Sequence, residues 1–445
     1  MKLIKLSNFK NKHFLALVGN VVISGFSVLT IAVLYRGLTK SDIGTWFFFL
    51  TILGLADAIR NGFLTTATVK YYAGTTVERG AEVLGSVWYL AIALTVGMCL
   101  INAGFFIAIG WIKNPELIIA IKWFGITFVS SLFYSFTFWI LIAEEDYLKI
   151  LWLRLINSGS MIVIIIILTI LKMATLSNLL LVNFLTNCFT SLFALVFGYT
   201  KIKSFLKRKK ESIKEIANFG KYSLGTNMSS NLLSSINTFV ITFMLGPAVL
   251  AVYNLPQRLM EIVEIPLRSF VGTGMSAMAI AYNNNNMYHL KFVSKKYAGV
   301  LMFAFIPIII IAFFTADIAV GLLGGGKYAG TEAANIFRML MFCSILYPID
   351  RFNGVTLDIL QQQKVNFYKV LVMIAANLPI AFIGIFLFKN IWGVAIATPA
   401  TLLAGLLFGY YHLRKHMEYS FKEIIITGYV DSLEIIRKTL AKLKK

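Results

Sequence analysis

Residues 160–171 read SMIVIIIILTIL. Ser160 and Thr169 are the polar residues in this run, and neither a period of two nor a period of 3.6 separates an oily side from a wet one. A strand of a transmembrane barrel alternates between lipid and lumen. A helix on the surface of a soluble protein keeps a polar face. A stretch that is apolar all round suits a helix surrounded by hydrocarbon, in which every backbone group bonds within its own segment. Continued back to Lys149, the run is long enough for a hydrocarbon layer of about 30 Å, which takes roughly 20 residues at helical rise.

Working outward, the same pattern recurs almost end to end. Of 445 residues, 58% are hydrophobic and 14% charged, with a mean hydropathy of +0.78. The reading is an all-α, polytopic membrane protein of about twelve spans. These fall near 14–36, 42–66, 82–110, 116–141, 149–171, 176–200, 219–245, 248–281, 292–323, 331–361, 366–388 and 391–413. Connections are short throughout. The longest breaks are KIKSFLKRKKESIKEI (201–216) and the tail after Tyr419.

The formal charge of +21 points to a membrane surface rather than to nucleic acid, for no segment resembles a nucleic-acid reading module. Lys2, Lys5, Lys10, Lys12, Lys70, Arg79, Lys149, the 201–214 run, Lys291, Lys295, Lys296, Lys364 and most of the basic tail fall on one side. Arg36, Lys40, Lys113, Lys172, Lys327 and Lys389 fall on the other. This bias makes both termini and the 201–216 connection cytoplasmic. The basic N-terminus leads into a full span without a small-residue cleavage site and reads as a retained anchor. Cys99, Cys188 and Cys343 all lie in apolar runs and read as small core residues.

The basic connection divides the chain into an N-terminal six-helix bundle (1–200), a linker (201–218), a C-terminal six-helix bundle (219–415) and a tail (416–445). A faint repeat supports the division: Trp46, Asp57 and Arg60 in span two correspond to Tyr253, Glu264 and Arg268 in span eight. Two halves of six spans keep one orientation, which implies a pseudo-two-fold axis along the membrane normal. In the tail, Phe421, Ile424, Ile425, Tyr429, Leu433, Ile436, Leu440 and Leu443 recur at helical spacing among lysines and arginines. That is an amphipathic helix for the cytoplasmic leaflet or for a partner enzyme.

Charges inside the spans are the candidate functional residues, since each costs about 2.5–3.5 kcal/mol at the bilayer centre on insertion scales. Span eight carries RLMEIVEIPLR (258–268). At 100° per residue Arg258, Glu261, Glu264 and Arg268 share one face, running from the midplane to the inner rim, and Pro256 and Pro266 predict a kink. Two readings stand: mutual neutralisation as glue between helices, or the wall of a vestibule whose arginines bind an anionic head group. Asp57 and Arg60 lie in the inner half of span two, Arg338 in the outer part of span ten, and Asp350 and Arg351 at its inner end. Asp317 reads as an outer-rim charge. The stripe Asn227, Asn231, Ser234 and Thr238 of span seven, matched by Asn20, Ser24 and Ser27 of span one, reads as a cavity wall or as helix packing.

Two motifs mislead. GLLGGGK (321–327) begins like a phosphate loop, but Tyr328 stands where the magnesium-binding Ser or Thr belongs and no strand precedes it. His412 and His416 have metal-ligand spacing without a third ligand. No Ser/His/Asp set or large catalytic loop occurs, so the chain reads as a non-enzyme without a cofactor.

LTKSDIGTWFFFLTILGLADAIRNGF (38–63), GPAVLAVYNLPQRLMEIVEIP (246–266) and GGKYAGTEAANIFRML (325–340) resemble the entries to spans two, eight and ten of Wzx-type O-antigen and capsular polysaccharide flippases, within the multidrug/oligosaccharidyl-lipid/polysaccharide exporter superfamily. The resemblance implies a V-shaped pair of bundles around a cationic cavity. It also implies an undecaprenyl-pyrophosphate-linked oligosaccharide as substrate, moved from the cytoplasmic to the outer leaflet of a bacterial inner membrane by alternating access. Polysaccharide polymerase and chain-length proteins are the protein partners it suggests. Two departures are visible: Ala58 and Ile59 follow Asp57 where a glycine is common, and Asn237 stands where many relatives carry an acid. Sodium or proton coupling therefore has no assigned residue. The rival readings are a drug/cation antiporter, which needs a carboxylate that spans one and seven lack, and a membrane-embedded polymerase or ligase, which needs a larger outer loop.

Overall fold

The computed structural model describes residues 12–443, apart from the side chains of 12–21, 23, 222, 223, 226, 227, 266, 269, 435, 436 and 438–443. Asn20, Asn227, Pro266 and the tail's Ile436, Leu440 and Leu443 therefore fall outside the described side chains. No strand occurs among the described residues.

The helices match the twelve apolar stretches. They are α1 (Lys12–Gly37), α2 (Lys40–Tyr72), α3 (Val77–Ile107), α4 (Pro115–Ser130) with α5 (Leu132–Ala143), α6 (Tyr147–Arg154) with α7 (Ser160–Ile170), and α8 (Leu176–Val196). After the basic connection come α9 (Lys210–Leu245), α10 (Pro247–Asn283), α11 (Met287–Gly324), α12 (Ala333–Cys343) with α13 (Tyr347–Ile359), α14 (Gln363–Phe388), α15 (Trp392–Ala395) with α16 (Ala397–Leu413), and the tail helix α17 (Phe421–Leu443). Among the described residues, eight are long and apolar enough to cross a membrane, or nine when α4 and α5, bent by 45°, count as one span. SMIVIIIILTIL lies in the sixth and seventh helices' joint span, continued from α6 through a π-helical turn at Leu155–Gly159. The protein is thus a multi-pass helical membrane protein.

Local sequence explains the helix starts. Thr39, Thr76, Asn114, Asp146, Thr175 and Asn286 each cap a helix by accepting a hydrogen bond from the backbone N–H three residues on, a contact worth about 1 kcal/mol. Gly246 ends α9 at φ 87°, a left-handed conformation that a Cβ would strain, and Pro247 starts α10 at once.

Two compact units divide the chain, Met1–Ala251 and Val252–Lys445. The boundary lies one helix beyond the basic linker, because α9 packs along α2 and α3. In the first unit, Trp88 stacks on Phe136 at 3.8 Å and gives its indole N–H to the Thr200 carbonyl, while Trp139 donates to Asn61 at 2.8 Å. Val83, Leu84, Val87, Ile140 and Ile216 fill the space around them. Gly44 passes so close to the Pro247 carbonyl that a Cβ built there would stand 1.7 Å from its oxygen. In the second unit Phe352, Met278, Leu290, Phe305 and Leu413 form the core. The tail helix belongs to that core. Ile424 is fully buried, and Gly428 crosses Gly299 of α11 backbone to backbone. Lys291, Lys295 and Lys296 of α11 pair with Glu418, Glu423 and Asp431. The tail's amphipathic pattern thus has a protein-facing side, while Ile425, Ile426, Tyr429 and Val430 remain exposed.

Candidate functional site

In the first unit, the Asp57–Arg60 pair of α2 separates into two jobs. Arg60 is 1% exposed. Its guanidinium bonds Asp57 at 2.6 Å, the Ser131 and Ser135 hydroxyls at 2.8 and 3.0 Å, and the Phe128 carbonyl at 3.3 Å. Its Cζ lies 4.2 Å from the centre of the Phe128 ring. These partners surround the break between α4 and α5, where the helix ladder is interrupted and carbonyls lose their donors. Arg60 is therefore a strut across that break.

Asp57 keeps about a third of its side chain exposed. With Gly54, Asn61, Gly62, Thr65, Thr66 and Asn231 it lines a cavity of about 350 Å³. Amide, hydroxyl and carboxylate groups in that mixture are hydrogen-bond partners for a hydroxyl-rich ligand. Asn231 of the span-seven stripe lies in this lining, Ser234 is exposed, and Thr238 is buried. Asn227 is outside the described side chains.

In the second unit the α10 charges close on their own helix. Arg258 bonds Glu261 at 2.7 Å and Arg268 bonds Glu264 at 3.3 Å. Glu261 and Arg268 are 47% and 67% exposed. Tyr347, at the break between α12 and α13, lies within electrostatic range of both Glu264 and Arg351. Arg351 is exposed and makes no hydrogen bond or ion pair among the described residues. Arg338 is placed elsewhere: it pairs with Asp317, bonds the Phe313 carbonyl at 3.1 Å and takes the Asn335 amide oxygen at 2.9 Å. Asp317, read from sequence as a rim charge, is thus the counter-ion of Arg338.

A polar cluster of which the sequence reading named only Asp350 lies in the second unit. Lys369 of α14 is buried, 2.5 Å from Asp350 of α13, and also donates to the Asp350 carbonyl at 3.1 Å. Beside it Asn353 is wholly buried, with both side-chain polar atoms unpartnered among the described residues. Asp350 and Lys369 stand at similar depth on either side of the short connection after α13, so comparing charges by depth could have found the pair.

The comparisons agree on the architecture. One solved structure, described as the inward-facing conformation of a multidrug resistance MATE family transporter of the MOP superfamily, superposes with a TM-score of 0.73 at 16% identity, covering 91% of this chain and 100% of that one. The lipid II flippase MurJ in an inward closed conformation gives 0.72 at 15% identity, over 96% and 92%. A MOP superfamily transporter from Pyrococcus furiosus gives 0.60 at 15% identity, over 90% and 94%. These likenesses show the fold, that of the MOP superfamily transporters. No curated protein sequence matches the chain. The family model described as polysaccharide biosynthesis protein matches residues 33–335, which include two of the three stretches that resemble Wzx-type flippases whole and the first part of the third, 325–335. With more than half of its length inside that match, the chain belongs to the polysaccharide biosynthesis protein family.

Proposed function

We propose that the protein flips an undecaprenyl-pyrophosphate-linked oligosaccharide from the cytoplasmic to the outer leaflet of the bacterial inner membrane, by alternating access, for O-antigen or another surface polysaccharide. The charge stripe of α10, with Glu261 and Arg268 exposed and Arg258 and Glu264 half-buried, carries the reading. Facing lipid, each of those charges would cost about 2.5–3.5 kcal/mol, so the stripe faces water. The ion pairs Arg258–Glu261 and Arg268–Glu264 each lie within this one helix.

The energetics favour exchange. A solvent-exposed pair three or four residues apart on a helix is worth about 0.3–0.5 kcal/mol. A hydrogen bond from an arginine to a charged oxygen contributes about 1.5–3 kcal/mol, and a guanidinium grips phosphate with two such bonds. A pyrophosphate can therefore displace Glu261 from Arg258, and the freed carboxylate can recapture the arginine on release. In this reading Arg258, Arg268 and Arg351 meet the phosphates or acidic sugars, Glu261 and Glu264 exchange with them, and Asp57 and Asn231 meet sugar hydroxyls. Arg60 acts through Asp57, and Arg338 is held in reserve by Asp317. The polyprenyl tail stays in lipid, so only the head needs shielding. An ion gradient or removal of product supplies the drive.

Complementation of surface-glycan export tests this. Arg258→Ala, normally expressed, should lose export; full complementation sinks the proposal. Orientation is tested by labelling from outside: Lys327→Cys should react and Lys209→Cys should not. The fold is shared with drug transporters, so drug susceptibility is the comparison assay. Against that second reading, the acids of α9, Glu211 and Glu215, lie in its first two turns, before span seven.

A further inference from the structure

A second cavity, of about 1270 Å³, opens at the loop end of the first unit. Three connections build it: residues 73–76 between α2 and α3, 144–146 between α5 and α6, and the first part of 197–209 between α8 and α9. It shares no lining residue with the Asp57 cavity.

Three kinds of group converge there. The first is cationic: Lys201, Lys203 and Lys207 line the cavity, against Glu144 and Glu145. Glu144 is already matched, paired with Lys201 and accepting the Tyr72 hydroxyl at 2.6 Å. Of the neighbouring acids, Asp146 is matched by Lys149 and Glu82 by Arg79 and Lys209, while Glu78 in the first turn of α3 is exposed and outside the lining. Lys203 and Lys207 are exposed and have no acidic partner among the described residues. The second is a set of polar groups: Thr76, Thr200 and the N-terminal turn of α3, with the Thr75 hydroxyl given to the Tyr72 carbonyl at 2.8 Å. Ser204 adds a buried hydroxyl without a partner among the described residues. A helix start carries a partial positive charge and bare N–H groups. The third is apolar. Val69, Leu84, Leu195 and Ile202 form a wall, and Val77, Phe197 and Leu206 stand exposed in or beside it.

We propose that this cavity binds the phosphate of an anionic amphiphile, as an accessory site apart from the substrate path. Lys203 and Lys207 take the charge, the Ser204 hydroxyl and the α3 start supply hydrogen bonds, and the apolar wall receives the beginning of the chains. The chemistry recognised is a phosphate, and the lipid wall favours a phospholipid head group over a soluble phosphate as its source.

Native mass spectrometry of the full chain in detergent micelles tests it, titrating phosphatidylglycerol, phosphatidylcholine and inorganic phosphate. Each basic residue near a membrane surface contributes about fivefold in affinity for anionic lipid. Lys203→Ala/Lys207→Ala should therefore bind phosphatidylglycerol about 30-fold more weakly. Lys210→Ala/Lys214→Ala removes the same charge from exposed positions outside the cavity and should stay within about twofold of the parent. Equal weakening in both variants, or none in the first, overturns the site, as does equal binding of phosphatidylcholine and phosphatidylglycerol. Persistence of the lipid adduct in millimolar phosphate assigns the lipid source, and its displacement assigns a soluble phosphate to the same site.

Discussion

Replacing Arg60 by methionine separates a strut from a substrate contact. The substitution keeps the chain's volume and removes the cation. Breaking a buried ion pair by removing one partner costs about 3–5 kcal/mol. Two features of the site pull the estimate to the lower end. Asp57 is partly exposed to its cavity and can hydrate once abandoned, and the Phe128 carbonyl keeps the Ser131 hydroxyl, at 2.9 Å, as a donor. About 3 kcal/mol remains, which corresponds to a fall of roughly 6–12 °C in apparent Tm for a unit of this size. Asp57→Asn should be milder, about 1–2 kcal/mol, because the amide oxygen still accepts from Arg60 while the charge assistance is lost.

The double variant should be no less stable than Arg60→Met alone, since the abandoned carboxylate has gone with its partner. Thermal unfolding of the purified protein in detergent, followed by tryptophan fluorescence, gives all three values. An Arg60→Met protein that melts within about 3 °C of the parent, half the smallest shift expected, refutes the strut. So does simple additivity in the double variant. If melting is unchanged while glycan export disappears, the guanidinium acts on substrate instead.

Gly44→Ala should destabilise by about 1–3 kcal/mol through overpacking, because its Cβ would press on the Pro247 carbonyl. Gly97→Ala, which meets nothing within 4 Å, should leave the melting point unchanged or raise it slightly, and the two are compared in the same unfolding assay. Gly428→Val should lift α17 from α11, read as faster proteolysis of the tail while residues 1–415 survive. Lys369→Met leaves Asp350 as an unpaired buried charge and should cost about 3–5 kcal/mol. Adding Asp350→Asn should recover much of it, and failure to recover would mean that Lys369 works through packing.

The spans were legible because lipid imposes one requirement on every residue of a segment. A run such as SMIVIIIILTIL needs no partner to be read, and each apolar stretch emerged as a helix or a broken pair. The caps at Thr39, Asn114 and Asn286 are legible for the same reason, since cap and donor stand three residues apart. Pairing across the fold has no such local signature. Asp57 and Arg60 look alike in sequence, as two charges one turn apart. What distinguishes them is Ser131, Ser135 and the helix break, about 70 residues downstream. The tail shows the same limit: its hydrophobic period predicts an apolar face, while only the fold brings Gly299 opposite Gly428.

This difference in reach bears on how intramembrane charges should be interpreted. Asp350 and Lys369 join two helices, are buried together and sit beside an unsatisfied asparagine. Arg258–Glu261 and Arg268–Glu264 each pair successive turns of α10, with Glu261 and Arg268 open to solvent. Separating the first pair strands a charge in the core, which resists any motion that parts α13 from α14. Opening the second pair costs a few tenths of a kcal/mol up to about 1 kcal/mol, less than an incoming phosphate returns. The proposed flippase would need both kinds: a bundle that moves as one piece, and a surface whose bonds are cheap to trade. Under the proposed function, RLMEIVEIPLR is the segment whose mutation tests export, and Asp350–Lys369 the pair whose mutation tests integrity.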